Sequence, residues 1–312
     1  MSRVWMILFN PAARRGQRAT REVRGRLGGM SLPPGVSCEY VPLVELDQAS
    51  DLAPERVFVV GGDGTVNQAA QWLLRQNLQC PLALIPGGTG NNLAAGLGLP
   101  KTIVAAVDLA HGGGKTRAVD AVRYGPPDEP RVFLQSGAFG FAAEVAARYN
   151  RLRKRRLFRL AASPLGTNIY LLLAWLGLRD LNQRAAAGRS LEASVRMPGE
   201  ERTEQVAGIF LGNEKSLGGD FYPCPQAELD DGQLDVCIVR AVPGVSYREV
   251  FQEVRRGEHL ARADLVLYRQ TAGPLELEFS ERVAFVADGD LWLSGTEFSF
   301  ELLPRRFEVF IP

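Results

Sequence analysis

Residues 57–90 read VFVVGGDGTVNQAAQWLLRQNLQCPLALIPGGTG, and the fold follows from them. Two apolar runs, 57–60 and 82–85, each end in a glycine-rich turn, Gly61-Gly62-Asp63-Gly64-Thr65 and Gly87-Gly88-Thr89-Gly90. A helical pattern of apolar residues lies between them. Strand, turn, helix, strand is a βαβ unit, with parallel strands and both turns at their carboxyl ends. Ligands of open α/β sheets bind at that edge. Glycine lets a backbone approach a bulky anion and take positive φ, so that successive N–H groups point at it. Two such turns side by side predict a phosphate cradle. Asp63 is a poor phosphate ligand and suits a role through Mg²⁺, through a water or as a base.

Upstream, residues 4–9 read as a buried first strand, followed by the turn Asn10-Pro11-Ala12-Ala13-Arg14-Arg15-Gly16 and a helix over 17–27. Two arginines ahead of a helix N-terminus suit an anion site, although an ordinary βα loop with solvated arginines is the simpler reading of this turn alone. A second strand is predicted over 37–42 and a short helix or turn over 46–53. Downstream, a helix opens at Asn91-Asn92, where Asn is a favoured N-cap. Another helix spans 102–110, and His111 falls in a glycine-rich hinge, where solvation is its expected state. Neither glycine turn fits G-x-x-x-x-G-K-[ST], which excludes a P-loop ATPase. G-x-G-x-x-G fails because Asn67 and Leu93 hold the last positions, which weakens a dinucleotide fold.

From residue 115 the pattern changes. Strands are predicted over 116–124, 131–138, 191–197, 205–212, 234–239, 264–271, 275–279, 283–287 and 297–302, with period near two. That argues for antiparallel sheets packed face to face. Asp231-Gly232 and Asp288-Gly289 mark tight turns. Helices are expected over 141–160, 165–182 and 246–255, and a last strand, 307–311, fits either half. A chain of 312 residues suits two domains.

Composition narrows the chemistry. Lys and Arg number 36 against 35 Asp and Glu, so no electrostatic case for nucleic acid exists. Cys38, Cys80, Cys224 and Cys237 lack metal-type spacing and fit buried thiols of a reducing cytosol, one disulfide remaining open. Only two histidines occur, His111 and His259; carboxylates and backbone amides must carry any catalysis. The first apolar run is too short for a signal peptide, and the run 169–178 is about half of the roughly 20 residues a membrane span needs. The chain is therefore expected to be cytoplasmic and soluble or peripheral. Residues 148–159 carry seven cations among twelve residues, interleaved with Leu152, Leu157 and Phe158. Each cation near anionic lipid is worth roughly 1 kcal/mol, although a solvated helix face has the same composition. Glu228-Leu229-Asp230-Asp231-Gly232-Gln233-Leu234-Asp235 could supply oxygen ligands to a hard cation, or simply form a hairpin turn.

Taken together, Asn10-Pro11, Gly61-Gly62-Asp63-Gly64-Thr65-Val66-Asn67, Pro86-Gly87-Gly88-Thr89-Gly90-Asn91, Gly212-Asn213, the Glu228 to Asp235 segment and Asp288-Gly289-Asp290 resemble the soluble bacterial diacylglycerol kinase family, related to sphingosine and ceramide kinases. The resemblance spans essentially the whole chain. It implies an α/β N-terminal nucleotide-binding domain of NAD kinase/diacylglycerol kinase-like type, residues 1–115 and 303–312. It implies a C-terminal antiparallel β-sandwich domain for the lipid, residues 116–302, with the site in the cleft between them.

By the family pattern ATP and Mg²⁺ are the cofactors. Asn10, Pro11, Ala12, Ala13 and Arg14 contact the nucleotide, as do Gly61, Gly62, Asp63, Gly64, Thr65, Val66, Asn67 and Gln68, with Gly88, Thr89 and Asn91. Asp231 matches the side-chain ligand of Mg²⁺, and Glu228 and Gln233 match positions donating carbonyls. Asp290 matches the general base, with Asp63 as a second catalytic carboxylate linked to metal. The implied partners are a lipid alcohol and an anionic membrane surface, with a homodimer left open.

Three positions depart from the family pattern. Asp290 stands where Glu is common, Asn92 where many relatives have Asp, and Ala142 where many have Asp. A nucleotide-binding regulator with weakened catalysis, or a kinase of a soluble alcohol such as the NAD kinases, are the alternative readings.

Overall fold

The computed structural model describes residues 3–13, 16–88, 90–126, 128–153, 166–218 and 220–312. The chain divides into two compact units, one of residues 1–121 with 304–312 and one of residues 122–303.

In the first unit β1 (Arg3–Phe9), α1 (Gly16–Gly28), β2 (Val36–Pro42), β3 (Arg56–Gly61), α2 (Asp63–Arg75) and β4 (Leu82–Pro86) alternate along the chain. Trp5, Ile7 and Phe58 are fully buried, as continuous apolar runs in a doubly covered parallel sheet require. β1 pairs in parallel with β2 on one side and with β3 on the other, and β3 pairs with β4. The end of the chain adds a further parallel strand, Val309 lying opposite Leu82. Trp5, Ile7, Phe58, Val60 and Ile85 share one core with Val23 of α1 and Phe310. Two shorter helices follow, α3 (Asn92–Gly96) and α4 (Ile103–His111). Thr102 caps α4, its Oγ1 accepting from Ala105 N at 3.3 Å. His111 is not simply solvated: its Nε2 lies 3.1 Å from Ser31 O, and its ring meets Trp5 edge-on at 5.6 Å.

The boundary between the units falls inside β5 (Lys115–Tyr124), so the composition change at residue 115 marks the start of a strand. The second unit is an antiparallel β-sandwich. β6 (Arg131–Phe133), β7 (Ser136–Gly140), β8 (Leu191–Met197), β9 (Glu200–Gly212), β10 (Leu234–Arg240), β11 (Val266–Thr271), β12 (Leu275–Ala287) and β13 (Asp290–Ile311) follow in chain order. Both β7 and β8 pair with β9 and with β12, while β10 lies between β9 and β11. The pairs predicted over 275–279 and 283–287 form one strand, with a register shift between Glu278 and Val283. Those predicted over 297–302 and 307–311 also fuse, within β13.

β10 shows why its run is apolar throughout. Val236 and Ile238 enter a core dominated by Phe139, Phe285, Phe298 and Phe300, with Phe139 4.7 Å from both Phe285 and Phe298. Cys237 and Val239 point the other way, into a second core with Phe210, Tyr247, Val250 and Val254. Among the described residues this unit has the helices α5 (Phe141–Arg153), α6 (Gly166–Ala186) and α7 (Tyr247–Arg256). All four cysteines are free thiols, Cys224 and Cys237 buried.

His259 is fully buried, its Nε2 donating to Pro223 O at 3.0 Å while Nδ1 has no hydrogen-bond partner. Burial pushes its pKa down, outweighing the Pro223 carbonyl and Glu253. The unfolded chain therefore binds a proton more readily than the folded one as pH falls below about 6.5. Thermal melting at pH 7.5 and 5.5 should show a lower Tm at the acid value. The drop should shrink in His259→Gln, which has nothing to titrate there.

Candidate active site

The order β4-β3-β1-β2 has a consequence for binding. β1 leads through α1 to β2 on one side, and β3 leads through α2 to β4 on the other. The two connections run outward in opposite directions from between β1 and β3, and that switch point is where open parallel sheets hold ligands. The turn after β1 and the turn after β3 flank it, since Phe9 lies opposite Val60. The turn after β4 adjoins the second, with Gly61 opposite Pro86.

Each turn is closed by its own residues. Asn10 Oδ1 accepts from Ala12 N at 3.0 Å, and Asn10 O accepts from Ala13 N at 3.2 Å. The glycines of the other two turns serve mainly to let the turns touch one another. A Cβ on Gly88 would stand 2.4 Å from Gly62 Cα, and a Cβ on Gly61 2.3 Å from Thr65 Oγ1. Gly87 N donates to Gly61 O at 2.9 Å. None of Gly61, Gly62, Gly87, Gly88 and Gly90 has the positive φ expected of an anion nest; the left-handed residue is Asn91, at φ 54°. Close backbone contact excludes side chains as firmly as positive φ does, so packing, and not the expected positive φ, is what requires glycine here.

Asn91 is not the expected cap. Its Oδ1 accepts from Gly88 N at 3.1 Å and its Nδ2 donates to Gly88 O at 3.2 Å, closing the third turn. Asp63 takes over the capping: Oδ1 accepts from Leu93 N, in the first turn of α3, at 3.2 Å. Gly90 lies so near that a Cβ there would meet Asp63 Oδ2 at 2.9 Å. Asp63 thus ties the second turn to the third. Gly61, Gly62, Asp63, Val66, Ile85 and Asn91 line a small, shallow depression between the second and third turns. Thr65, Val66 and Asn67 are buried, Asn67 Oδ1 accepting from Gln71 Nε2 at 3.1 Å, whereas Gln68 is exposed. Arg14 and Thr89 lie outside the described residues, as do residues 154–159 of the cationic run.

In the second unit Asp290 is half-buried at the start of β13, opposite Ala287. Between them stand Asp288 and Gly289, at φ 47° and 83°, a two-residue hairpin loop with both φ positive. The Asp288 carboxylate does more than turn the chain. Oδ2 accepts from Leu134 N at 3.0 Å, and Oδ1 accepts from Gln135 N at 3.0 Å and Ser136 N at 3.2 Å. These bonds divide the single strand expected over 131–138 into β6 and β7. Asn213 grips the same tripeptide, Nδ2 donating to Leu134 O and its backbone N to Gln135 O, both at 2.8 Å. Two remote motifs therefore meet at Leu134-Gln135-Ser136. Nothing in that tripeptide's own sequence announces it, and only the Asp-Gly signal at 288–289 pointed near.

Asp231 Oδ1 accepts from Gln233 N at 2.9 Å around Gly232, at φ 72°. Asp235 is buried beside this turn. Burial pushes its carboxyl up to about 6, against hydrogen bonds from Tyr268 Oη and Gln270 Nε2, and the Asp231 and Glu228 charges push the same way. Among the described residues no group of three or more His, Cys, Asp or Glu side chains could hold a metal ion. Any cation at Asp231 would depend on peptide carbonyls and water.

A parallel sheet with three turns at its switch point and an antiparallel β-sandwich are the two parts of a known fold class. The diacylglycerol kinase catalytic domain family matches residues 5–124, and the YegS C-terminal NAD kinase beta sandwich-like domain matches residues 171–311. A probable lipid kinase YegS-like protein of Chromohalobacter salexigens is 32% identical over 92% of this chain and 86% of its own. The crystal structure of a diacylglycerol kinase from Bacillus anthracis superposes with a TM-score of 0.69 at 18% identity, over 100% of this chain and 97% of that one. An NAD kinase from Archaeoglobus fulgidus, solved with ATP, superposes at 0.50 and 13% identity over 99% and 93%; both structures speak to fold alone. The chain belongs to the diacylglycerol kinase and YegS-like lipid kinase family, and so to the kinases.

Proposed function

We propose that the protein transfers the γ-phosphoryl group of ATP to the hydroxyl of a lipid alcohol of diacylglycerol type, the first unit binding nucleotide and the second supplying lipid and base. The observation that carries this reading is the set of three turns at the switch point. Phosphoryl transfer needs positioning and charge stabilisation more than covalent chemistry. The amides at the N-terminus of α2, a 13-residue helix, suit phosphate oxygens. Asp63 and Asn91 keep the turns in register around them. Asp290 accepts the proton of the lipid hydroxyl as it attacks.

The chemistry of the donors suits Mg²⁺: Asp231 would hold it with its exposed carboxylate, together with the carbonyls of Glu228 and Gln233, all hard oxygen ligands. Bound Mg²⁺ would neutralise charge and stiffen that turn. For the acyl chains, a shallow apolar groove is lined by Phe141, Leu178, Leu181, Phe210, Phe221 and Phe251. Among the described residues no helix is long and apolar enough to cross a membrane, so peripheral association with anionic lipid completes the reading.

A catalytically weakened nucleotide-binding regulator is the second reading. It is favoured by Asn92 and by Ala142, whose side chain packs in an apolar cluster. Radiolabelled ATP should be incubated with the protein and micelles of diacylglycerol, a sphingoid base or phosphatidylglycerol, with free NAD as a further acceptor and a Mg²⁺-free control. Label is expected in one lipid and only with Mg²⁺. Label in NAD alone would overturn the lipid assignment, and ATP binding without transfer to any acceptor would establish the regulator.

A further inference from the structure

α6 has apolar side chains on both faces along 172–178. One face is accounted for by packing: Ala174 and Leu178 are buried, and a Cβ on Gly177 would stand 2.8 Å from Phe141 Cε2 and 3.5 Å from Val145 Cγ2 of α5. The other face is not. Leu172, Trp175 and Leu176 are 55%, 53% and 47% exposed, and among the described residues they are three of the five large hydrophobics so exposed. Their spacing of three and four places them side by side on one stripe. The next turn of that stripe carries Arg179, exposed, and then Gln183. The one carboxylate beside the stripe, Asp180, four residues after Leu176, is held in an ion pair with Arg184, which also binds Glu144 at 3.1 Å. That leaves Arg179 as the charge the described stripe presents.

We infer that this stripe is the face with which the protein enters the interface of an anionic bilayer, Trp175 at its centre. This specifies the surface for the membrane association in the proposed function and rests on that reading. Trp is suited to the boundary between headgroups and acyl chains, with an apolar body and a polar N–H. Arginine at the edge of an apolar stripe complements lipid phosphates. Among the described residues the stripe exposes on the order of 300 Å². A stable dimer needs roughly 800 Å² from each partner, so a second copy is a poor occupant of so small a face. A bilayer has no such requirement, because each inserted side chain contributes independently.

The test uses full-length protein and vesicles of phosphatidylglycerol or of phosphatidylcholine. Wild type should co-sediment with the anionic vesicles, and brominated acyl chains should quench its tryptophan fluorescence. Trp5 and Trp72 are buried in the core of the first unit and out of reach. The fourth tryptophan, Trp292, is replaced by Phe throughout the quenching experiment; in that background Trp175→Phe should abolish the quenching yet keep most of the binding. Leu172→Gln/Trp175→Gln should lower partitioning at least 10-fold with Tm unchanged, as expected of exposed positions. Wild-type partitioning by the double variant, or no vesicle binding by wild type, would overturn the inference. So would a concentration-dependent dimer that the double variant loses. Vesicle binding without phosphate transfer to any lipid would sink the kinase reading alone and leave this surface standing.

Discussion

Asp290→Asn is expected to lower the rate of lipid phosphorylation by about 10²–10⁴-fold, the usual contribution of a positioned general base. Asparagine matches aspartate in size and fits the first position of β13 opposite Ala287, so the hairpin should persist. ATP binding, assigned to the turns of the first unit, should be unchanged, and the loss should appear in kcat with the KM for ATP within about twofold. Asp290→Glu separates two accounts of the shorter side chain. If the hairpin already places Asp290 correctly, one more methylene misplaces the carboxylate, and a misplacement of about 1 Å can cost on the order of 100-fold. If Asp290 is the weakened form of the usual Glu, the substitution raises kcat. Initial rates at saturating ATP, with Tm recorded for each variant, decide. Wild-type turnover by Asp290→Asn would remove Asp290 as the base.

The sequence made the parallel half of the fold legible because its strands are buried on both faces and its turns are spelled in glycine. Residues 57–60 and 82–85 admit no other reading once a helix separates them. The β-sandwich was legible as strands but not as pairings. The break at Leu134-Gln135 is set by a carboxylate more than 150 positions away, and the fusion of 275–279 with 283–287 depends on a bulge that no local signal marks. Site chemistry divided along the same line. That Gly61, Gly62, Gly87 and Gly88 must be glycine was readable; that they are needed for contact between turns was not, because the partner of each turn lies on another strand. Asp63 was readable as an odd carboxylate among glycines, whereas its bond to Leu93 N exists only once β3 and β4 are paired.

Asp288→Ala is expected to be the most destabilising single substitution near the candidate base. The carboxylate satisfies three successive amides, those of Leu134, Gln135 and Ser136. Hydrogen bonds to a charged group contribute about 1.5–3 kcal/mol each, and amides left without a partner cost about 1–3 kcal/mol when water cannot replace it. The three bonds share one acceptor and are partly accessible, so they do not add in full, and a loss of about 3–5 kcal/mol is expected. Alanine also tolerates φ 47° less well than aspartate, by roughly 1 kcal/mol. Against a total stability of about 5–15 kcal/mol this is severe. Asp288→Asn keeps one oxygen for Gln135 and Ser136 but turns an amide donor toward Leu134 N, so its cost should be about 1–2 kcal/mol. Urea unfolding of the three proteins, with equal slopes, gives the order. Hydrogen exchange should show protection lost first at Leu134, Gln135 and Ser136. Asn213→Ala should weaken the same amides from the other side, since Asn213 Nδ2 holds Leu134 O. If Asp288→Ala unfolds at the wild-type urea midpoint, the carboxylate does not bear this load. If instead the amides open as expected and turnover falls with them in the milder Asp288→Asn, the stability of the sandwich and the placement of Asp290 rest on the same three bonds.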